Sequence, residues 1–241
     1  MLHRDKDGGA GMTISWFLTV RHPAASLDAA TLDGIAGTIR GVSGLAAALM
    51  FTPAGANDPY LDDGRPPILA LQLDFPAIEP LEAALVPAGA LQGIPALLRA
   101  AADGAAMEEQ AMLARAFPVP DPAFRTAPGR SPGTYLVAYD GAAADLNAWL
   151  TYYIAHHPPI MARFLGIRQI SIFTRIDWCS AFPAFRGNAF QRNKVVFDDA
   201  ESLDAALNSP VRHEMRADFH KFPPFEGRNT HYAMHTRTIP V

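Results

Sequence analysis

The sequence contains a single cysteine, Cys179, among 241 residues. One cysteine excludes a framework of intramolecular disulfides and is typical of a protein that folds in a reducing compartment. The chain also lacks a run rich in lysine or arginine, so it carries no electrostatic footprint for nucleic acid. It has no continuous apolar run of about 18 residues, the length that a membrane-spanning helix requires. We therefore expect a soluble cytoplasmic protein that binds neither nucleic acid nor a membrane.

The chain is long and apolar enough for one large domain or two smaller ones. Hydrophobic residues make up 49% of the sequence, and the formal charge is −4. Each half of such a chain, about 100–120 residues, can bury a core of its own. Residues 1–12 lack the apolar centre of a signal peptide, and we expect them to form a flexible tail.

Strand and helix patterns occur in the same order twice, βαββαβ in residues 13–119 and again in residues 133–241. In the first part, the predicted strands are 13–20, 45–52, 68–75 and 109–117, and the predicted helices are 27–42 and 78–86. In the second part, the predicted strands are 134–139, 167–176, 194–197 and 230–239, and the predicted helices are 145–164 and 203–219. Between the two, Pro118–Pro132 holds five prolines among fifteen residues. That composition predicts a semi-rigid linker over residues 120–132.

The two parts are related at the level of single residues by an offset of 122, the distance from Gly44 to Gly166. The same offset relates Phe75 to Phe197 and the segment LEAAL at 81–85 to LDAAL at 203–207. One register that joins separate segments indicates an internal duplication. Two such units predict an α+β fold of two tandem ferredoxin-like repeats, each with helices on one face of its antiparallel sheet. We expect the two bare sheet faces to pack on each other and close a barrel within one chain, the arrangement called a dimeric α+β barrel.

The segment from Trp149 to Ile160 is the strongest candidate for chemistry. Trp149, Tyr152, Tyr153 and His156 recur at helical spacing, which predicts that they share one face. Pro158 is expected to end the helix, because proline disfavours helical geometry at the residue before it. His156 and His157 would then lie at a helix C-terminus, where the dipole favours a protonated imidazole.

This helix end resembles the Y-Y-x-x-x-H-x-P pattern of EthD-like proteins of the dimeric α+β barrel superfamily. His157 matches the histidine of that pattern and Pro159 its proline, while His156 is an additional neighbour. The resemblance covers residues 133–241. The corresponding helix end in the first repeat, residues 35–40, has no histidine, which implies a degenerate site there. Relatives in the superfamily include isomerases, cyclases, small monooxygenases and heme-binding enzymes, so the resemblance implies a cavity for a small, mostly apolar molecule without fixing the reaction.

The last predicted strand adds further candidates. His231, His235 and Arg237 alternate onto one face, and Tyr232 and Met234 onto the other. We expect Tyr232 and Met234 to pack under the helices and the His/His/Arg face to point into the barrel. His235 or His157 would then be the acid/base and Arg237 the anion stabiliser. The predicted substrate contacts are Tyr153, His156, Ser171 and His231. Two alternatives remain: Arg237 as a structural ion pair, and the strand histidines as surface residues.

These residues suit a cofactor-independent isomerase, lyase or cyclase acting on a small carbonyl or aromatic compound. The alternatives are a non-catalytic protein that binds a hydrophobic ligand in the same cavity, or a heme-binding barrel with one histidine ligand. No metal site is expected, because His231 and His235 lie about 13 Å apart along a strand. The expected partner is a small apolar or aromatic ligand, with a homodimer as a further option.

Overall fold

Eight long antiparallel strands form one closed barrel in the computed structural model, which describes residues 12–241. Of the expected tail, residues 1–12, only Met12 lies within the described range. In chain order the strands are β1 (Thr13–Arg21), β2 (Ala47–Pro53), β3 (Leu69–Phe75), β4 (Ala106–Phe117), β5 (Gly133–Asp140), β6 (Ala142–Ala143), β7 (Ile167–Arg175), β8 (Phe185–Arg186), β9 (Ala189–Phe197), β10 (Phe225–Glu226) and β11 (Asn229–Ile239). Of the two-residue strands, β6 and β10 pair with each other outside the barrel, and β8 pairs in parallel with β4. The helices are α1 (Ala29–Arg40), α2 (Ile78–Leu85), α3 (Ile94–Ala101), α4 (Leu146–Met161), α5 (Ala200–Leu207) and α6 (Pro210–Phe219), with a 3₁₀ turn at Ala90–Gly93.

The two repeats close the barrel by pairing at their edges. Around the barrel the strand order is β1-β3-β2-β11-β5-β9-β7-β4, and β4 returns to β1. The joints between the repeats are β2 with β11 and β4 with β7, both antiparallel. Closure leaves no long unpaired edge in the wall. The predicted α+β fold, in which two tandem ferredoxin-like repeats form an intrachain barrel, is confirmed.

Each strand of the wall has two covered faces, one toward the helices and one toward the barrel interior. On the helix side the two repeats have separate cores, one around Trp16 and Ile35 and the other around Tyr139 and Trp149. The barrel interior holds two smaller clusters, whose buried members are Phe17, Met112 and Phe173 in one and Phe51, Ala70 and Met234 in the other.

The expected orientation of the last strand is wrong. Met234 and Tyr232 belong to a cluster inside the barrel, whereas Ala233 packs against the helix-side core. His231, His235 and Arg237 therefore point to the helix side of the sheet. Alternation shows which residues share a face, but when both faces of a strand are covered it does not show which face meets the helices.

Helix α4 continues through Pro158 and Pro159 to Met161, so the expected stop at Pro158 is also wrong. Proline has a backbone angle that suits a helix, and the two prolines remove only their own amide donors. The backbone ladder resumes directly, because the amide of Ala162 donates to the carbonyl of Pro158 at 2.9 Å. The buried stripe of α4 is Trp149, Tyr153 and His157, at four-residue steps.

The repeat is visible in the backbone. Helix α5 begins and ends 122 residues after α2, the offset between Gly44 and Gly166. Both glycines have a φ of +79°, a left-handed conformation that glycine adopts without strain.

We expect Gly166→Ala to lower the free energy of unfolding by about 1–2 kcal/mol through backbone strain alone. Nothing lies within 4 Å of the Cβ that it would add. Gly44→Ala should be more destabilising, because its Cβ would lie 2.8 Å from Cβ of Pro80. Urea denaturation of the two variants measures the difference, and equal effects would contradict this account.

The segment Ile78–Ala101 is apolar enough to cross a membrane by composition, with 24 residues and a mean hydropathy of 1.4. It is not one continuous helix, because α2 ends at Leu85 and α3 begins only at Ile94. Leu81, Leu85, Ile94 and Leu98 are buried in the helix-side core of the first repeat. Part of the segment, 39% of its most apolar stretch, is therefore buried in the protein.

Residues 118–132, between β4 and β5, contain no helix or strand. The segment is held in place by Arg168, whose buried guanidinium donates to Asp121 at 2.7 Å and to Asp198 at 2.8 Å. These ion pairs help to fix the connection between the repeats, and Val119 packs against the core of the second repeat.

Candidate active site in the second repeat

A cavity of about 50 Å³ lies between the sheet of the second repeat and helices α4, α5 and α6. Its apolar wall includes Val137, Met161, Phe164, Val195, Leu203 and Met215. Its polar wall includes Tyr135, His157, Asn193, Arg212 and His231. The cavity is on the helix side of the sheet and not inside the barrel, where the sequence analysis expected it.

His157 enters this cavity from α4 and is held by a carboxylate of α6. Its Nδ1 lies 2.7 Å from Oδ2 of Asp218, and both side chains are only 6% exposed. Asp218 also accepts a hydrogen bond of 3.0 Å from the hydroxyl of Tyr152. Burial alone would raise the pKa of Asp218, but the hydrogen bonds from His157 and Tyr152 outweigh it and lower the pKa. Asp218 is therefore a stable anion that fixes the ring of His157.

His231 enters the same cavity from β11 and is held by the first repeat. Its Nδ1 lies 3.0 Å from Oδ2 of Asp63, and its backbone amide donates to the same oxygen at 2.8 Å. Asp63 belongs to the loop 54–68 that follows β2. The side chain of His231 is 9% exposed. A carboxylate of one repeat thus orients an imidazole of the other.

Arg212 of α6 supplies a positive charge in the cavity wall. Its Nε and Nη2 donate to the two carboxylate oxygens of Asp58 at 2.8 and 3.0 Å, a bidentate pair. The hydroxyl of Tyr135 donates to Asp58 at 2.7 Å. Asp58, like Asp63, comes from the loop after β2, so this loop contributes two of the anions that organise the cavity.

The hydrogen bonds define the tautomers of both imidazoles. Asp218 and Asp63 are acceptors, so Nδ1 of each neutral ring carries the hydrogen and Nε2 keeps its lone pair. Burial lowers the pKa of His157 and of His231, and this effect is larger than the opposing effect of their carboxylates. At neutral pH both rings are therefore neutral, each with a basic nitrogen that can accept a proton.

These lowered pKa values predict a loss of stability in mild acid. Below about pH 6.5 the unfolded chain binds protons on histidine that the folded chain does not bind. The free energy of unfolding should fall as the pH drops from about 6.5 to the folded pKa values, and urea denaturation at pH 7 and pH 5 measures it. Ring-proton resonances of His157 and His231 that titrate at or above about pH 6.5 would contradict the assignment.

The structure brings together only some of the predicted site residues. His157 and His231 share the cavity wall. Tyr153 packs against His157, with ring centroids 4.9 Å apart, and its hydroxyl accepts a 2.6 Å hydrogen bond from Asn193.

His156 is exposed and stacks on Tyr152 at 4.2 Å, away from the cavity. Ser171 is on the interior side of the barrel wall, since its neighbours Ile170 and Ile172 face the helices.

His235 and Arg237 lie outside the cavity. His235 lies 3.1 Å from the hydroxyl of Ser131 and lines a separate cleft beside α5. Arg237 is 45% exposed in its side chain and pairs with Asp33 of α1 at 2.7 Å. This is the structural ion pair that the sequence analysis gave as the alternative for Arg237. The predicted acid/base role of His235 therefore has no support from its position.

Sequence reasoning did not identify Asp58, Asp63, Arg212 and Asp218. The two loop aspartates lie in a segment dense in turn residues, NDPYLDDG, where acidic residues are common for conformational reasons alone. Arg212 and Asp218 are six residues apart on a short polar helix, with no periodic signal that separates them from a solvent face. Their partners are distant in sequence, 154 residues for Arg212 with Asp58 and 168 for His231 with Asp63. Among residues 12–241 no group of three or more His, Cys, Asp or Glu side chains could hold a metal ion.

A scan against protein-family models and a search of curated proteins found no match. Solved structures match almost the whole chain. A putative monooxygenase from Fusobacterium nucleatum aligns over 96% of this chain and 95% of its own, with 8% identity and a TM-score of 0.60. An anthrone oxidase-like protein aligns over 96% and 94%, with 12% identity and a TM-score of 0.58. The chain is a dimeric α+β barrel built from one polypeptide. The recognition made from the sequence is confirmed at the level of the fold, and at these identities the likeness shows the fold alone.

In this fused α+β barrel the first repeat has no matching cavity chemistry. The offset of 122 relates His157 to Ile35, which is fully buried in the core. It relates His231 to Glu109, a buried carboxylate that accepts a 2.8 Å hydrogen bond from Nε1 of Trp16. The ring of Trp16 packs edge-on against Phe182 at 5.3 Å. Ile35 thus stands where α4 has its imidazole, and the degenerate first site stays a prediction from the sequence.

Proposed function

We propose that this protein is a cofactor-independent enzyme that transfers protons on a small carbonyl or aromatic compound. The observation that carries the proposal is the pair of buried imidazoles, His157 and His231, each bonded through Nδ1 to its own carboxylate in the wall of one cavity. Histidines held in this way are suited to general acid/base catalysis near neutral pH. Arg212 provides a cation beside them, where a developing enolate would need it.

The proposed step is removal of a proton from the carbon next to a carbonyl group. Nε2 of one histidine accepts the proton, and the electron pair of the broken C–H bond moves to the carbonyl oxygen. The resulting enolate is stabilised by Arg212, whose Nε and Nη2 are bonded to Asp58 while Nη1 is not. Return of the proton to a different carbon gives an isomer, and loss of a leaving group gives the product of a lyase.

The cavity must enlarge to admit such a substrate. Its volume, about 50 Å³, holds a few water molecules, whereas sites for small organic ligands typically measure about 300–1,000 Å³. A neighbouring cleft of about 560 Å³ is lined by the loop after β2 and shares Leu61, Tyr135 and His231 with the cavity. Movement of this loop would join the two spaces, so we include loop opening in the proposal.

The names of the structural neighbours suggest a substrate class and a second reaction. Anthrone oxidase-like and monooxygenase-like proteins share this fold. An aromatic ketone with an acidic CH₂ group would lose a proton to histidine by the step above. Its carbanion could then react with O₂, converting CH₂ to C=O with release of water, without any metal or organic cofactor.

The test is proton exchange on 1-tetralone, an aromatic ketone, followed by proton NMR in D₂O. We expect the purified protein to accelerate replacement of the protons next to the carbonyl by deuterium. Consumption of O₂ with anthrone as substrate would identify the oxygenation branch. Binding of both ketones without exchange or O₂ uptake would instead indicate the non-catalytic ligand-binding protein.

Heme does not fit the space that these histidines face. The cavity of about 50 Å³ is far below the volume of a site for a macrocycle. A larger cavity, about 660 Å³ at one end of the barrel, has no histidine in its lining. We therefore propose no step through heme. We also propose that the protein is cytoplasmic and that its partner is a small molecule.

A further inference from the structure

A second cavity, about 660 Å³ in volume, lies inside one end of the barrel. It opens where β1 and β5 end and where β4 and β11 begin, near Arg21, Asp140, Glu108 and Asn229. Its volume falls within the range of about 300–1,000 Å³ that is typical of small-molecule sites. The proposed acid/base chemistry does not use this space.

The deeper wall of this cavity is apolar and aromatic. Phe17, Ala70 and Leu136 belong to the clusters that fill the barrel interior, and Tyr232 packs with the second of them. A flat, apolar ring system can lie against these side chains. Apolar walls with a few polar groups at the rim are the usual composition of a ligand site.

The rim of the cavity carries arginines whose guanidinium groups are held near aromatic rings. Arg192 lies over Phe17, 5.4 Å from the ring centroid, and donates to Gln110 at 3.2 Å and to Glu108 at 3.0 Å. Arg21 lies over Tyr232 at 4.9 Å. Arg21 and Arg228 form no ion pair with a residue in the described range 12–241. Guanidinium groups with free donors recognise carboxylates in a planar, bidentate geometry.

The acidic residues of the lining do not cancel these charges. Glu108 is paired with Arg192, and Asp63 is bonded by His231. Asp140 is half-buried and lies near Arg21, Arg192 and Arg228, but it forms no direct ion pair with any of them. Asp62 is exposed. Within the described residues 12–241, Arg21 and Arg228 therefore have no direct carboxylate partner and can bind an anion.

The sheet separates this cavity from the proposed active site. Val137, Asn193 and Asn229 line both spaces, but the other residues of the barrel-end cavity belong to the interior face of the wall or to the rim. His157 and Arg212 line only the helix-side cavity. The two sites can therefore be changed independently by mutation.

We propose that the barrel end binds a small aromatic carboxylate, with its ring against Phe17 and Tyr232 and its carboxylate on Arg21 and Arg228. Residues from both repeats form the site, because Phe17 and Arg21 come from β1 and Tyr232 from β11. An intact barrel is consequently required for binding. The site is distinct from the histidine cavity and does not depend on the proposed reaction.

Calorimetric titration with 2-naphthoate tests this site, with 2-naphthamide as the neutral analogue. We expect one naphthoate per chain and an affinity about tenfold higher than that of the amide, because a charge-assisted pair is lost. Arg21→Gln and Arg228→Gln, at exposed positions, should each weaken naphthoate binding by about tenfold. Ala138→Phe, which adds a ring to the lining, should abolish binding.

His157→Gln is the matched control, because it alters only the helix-side cavity and should leave naphthoate affinity unchanged. Absence of naphthoate binding to the wild-type protein would overturn the proposal. Equal affinities for 2-naphthoate and 2-naphthamide would contradict recognition of the carboxylate by the rim arginines. Binding that is lost in His157→Gln but kept in Ala138→Phe would place the ligand in the other cavity. Proton exchange on 1-tetralone is measured separately, so failure of one proposal leaves the other testable.

Discussion

Replacing His157 with glutamine is expected to slow proton exchange on 1-tetralone by about 10²–10⁴-fold, the usual contribution of a general base. Glutamine can still hydrogen-bond Asp218, but it has no basic nitrogen at pH 7. The hydrogen bond of 2.7 Å between His157 and Asp218 fixes the ring, so the lost rate reports the imidazole itself. The exchange rate is followed by proton NMR at saturating ketone.

Two neighbouring histidines are the controls for this prediction. His156 is adjacent in sequence but exposed, and His235 lies in a separate cleft beside α5. His156→Gln and His235→Gln should each retain exchange within about twofold, because a surface change rarely alters a distant site by more than a few tenths of a kcal/mol. A large loss in His235→Gln, with His157→Gln unaffected, would contradict the location of the site.

Replacing Lys194 with methionine is expected to raise the free energy of unfolding by about 3 kcal/mol at pH 7. Lys194 is 1% exposed on the interior side of β9, and burial lowers its pKa to about 8, an effect that Asp74 only partly opposes. Asp74 has other donors, Ser15 at 2.5 Å and Gln72 at 2.9 Å, so it is not left unpaired. Methionine fills a similar volume without the cost of a buried charge.

The pH dependence of the free energy of unfolding distinguishes the removal of a buried charge from an improvement in packing. Between about pH 8 and 10.5 the unfolded chain keeps a proton that folded Lys194 releases, so wild-type stability rises with pH in that window. Lys194→Met should lack this rise, and its advantage should disappear near pH 10.5. Lys221, which is exposed, provides the control: Lys221→Met should change stability by less than about 0.5 kcal/mol. An advantage that persists at pH 10.5 would indicate a packing effect instead.

The fold could be predicted from the sequence because its signals are local or periodic. The β-rich runs and the single offset of 122 both survive in the structure, as in the identical φ of Gly44 and Gly166. Two repeats with one bare sheet face each then leave few arrangements other than a closed barrel. The histidine of α4 was recognisable for the same reason, since the motif around His157 is contained in one helix.

The composition of the site could not be predicted, because its contacts join segments that no local pattern connects. Asp63 reaches His231 and Asp58 reaches Arg212 across the boundary between repeats. The orientation of β11 depends on which of its two covered faces meets the helices. Tyr232 and Met234 could pack equally well under the helices or inside the barrel, where the structure places them. The structure also reverses the expected charge of His157, because burial lowers its pKa by more than the carboxylate of Asp218 raises it.

The most direct test is a long-range ¹H–¹⁵N NMR spectrum of ¹⁵N-histidine-labelled protein at pH 7.5, recorded with and without 1-tetralone. The structure predicts that His157 and His231 are both neutral with the hydrogen on Nδ1, and that the Nε2 signals of these two residues shift when the ketone is added. Protonated rings at these positions, or ketone-induced shifts confined to His235, would contradict the helix-side cavity as the site of chemistry.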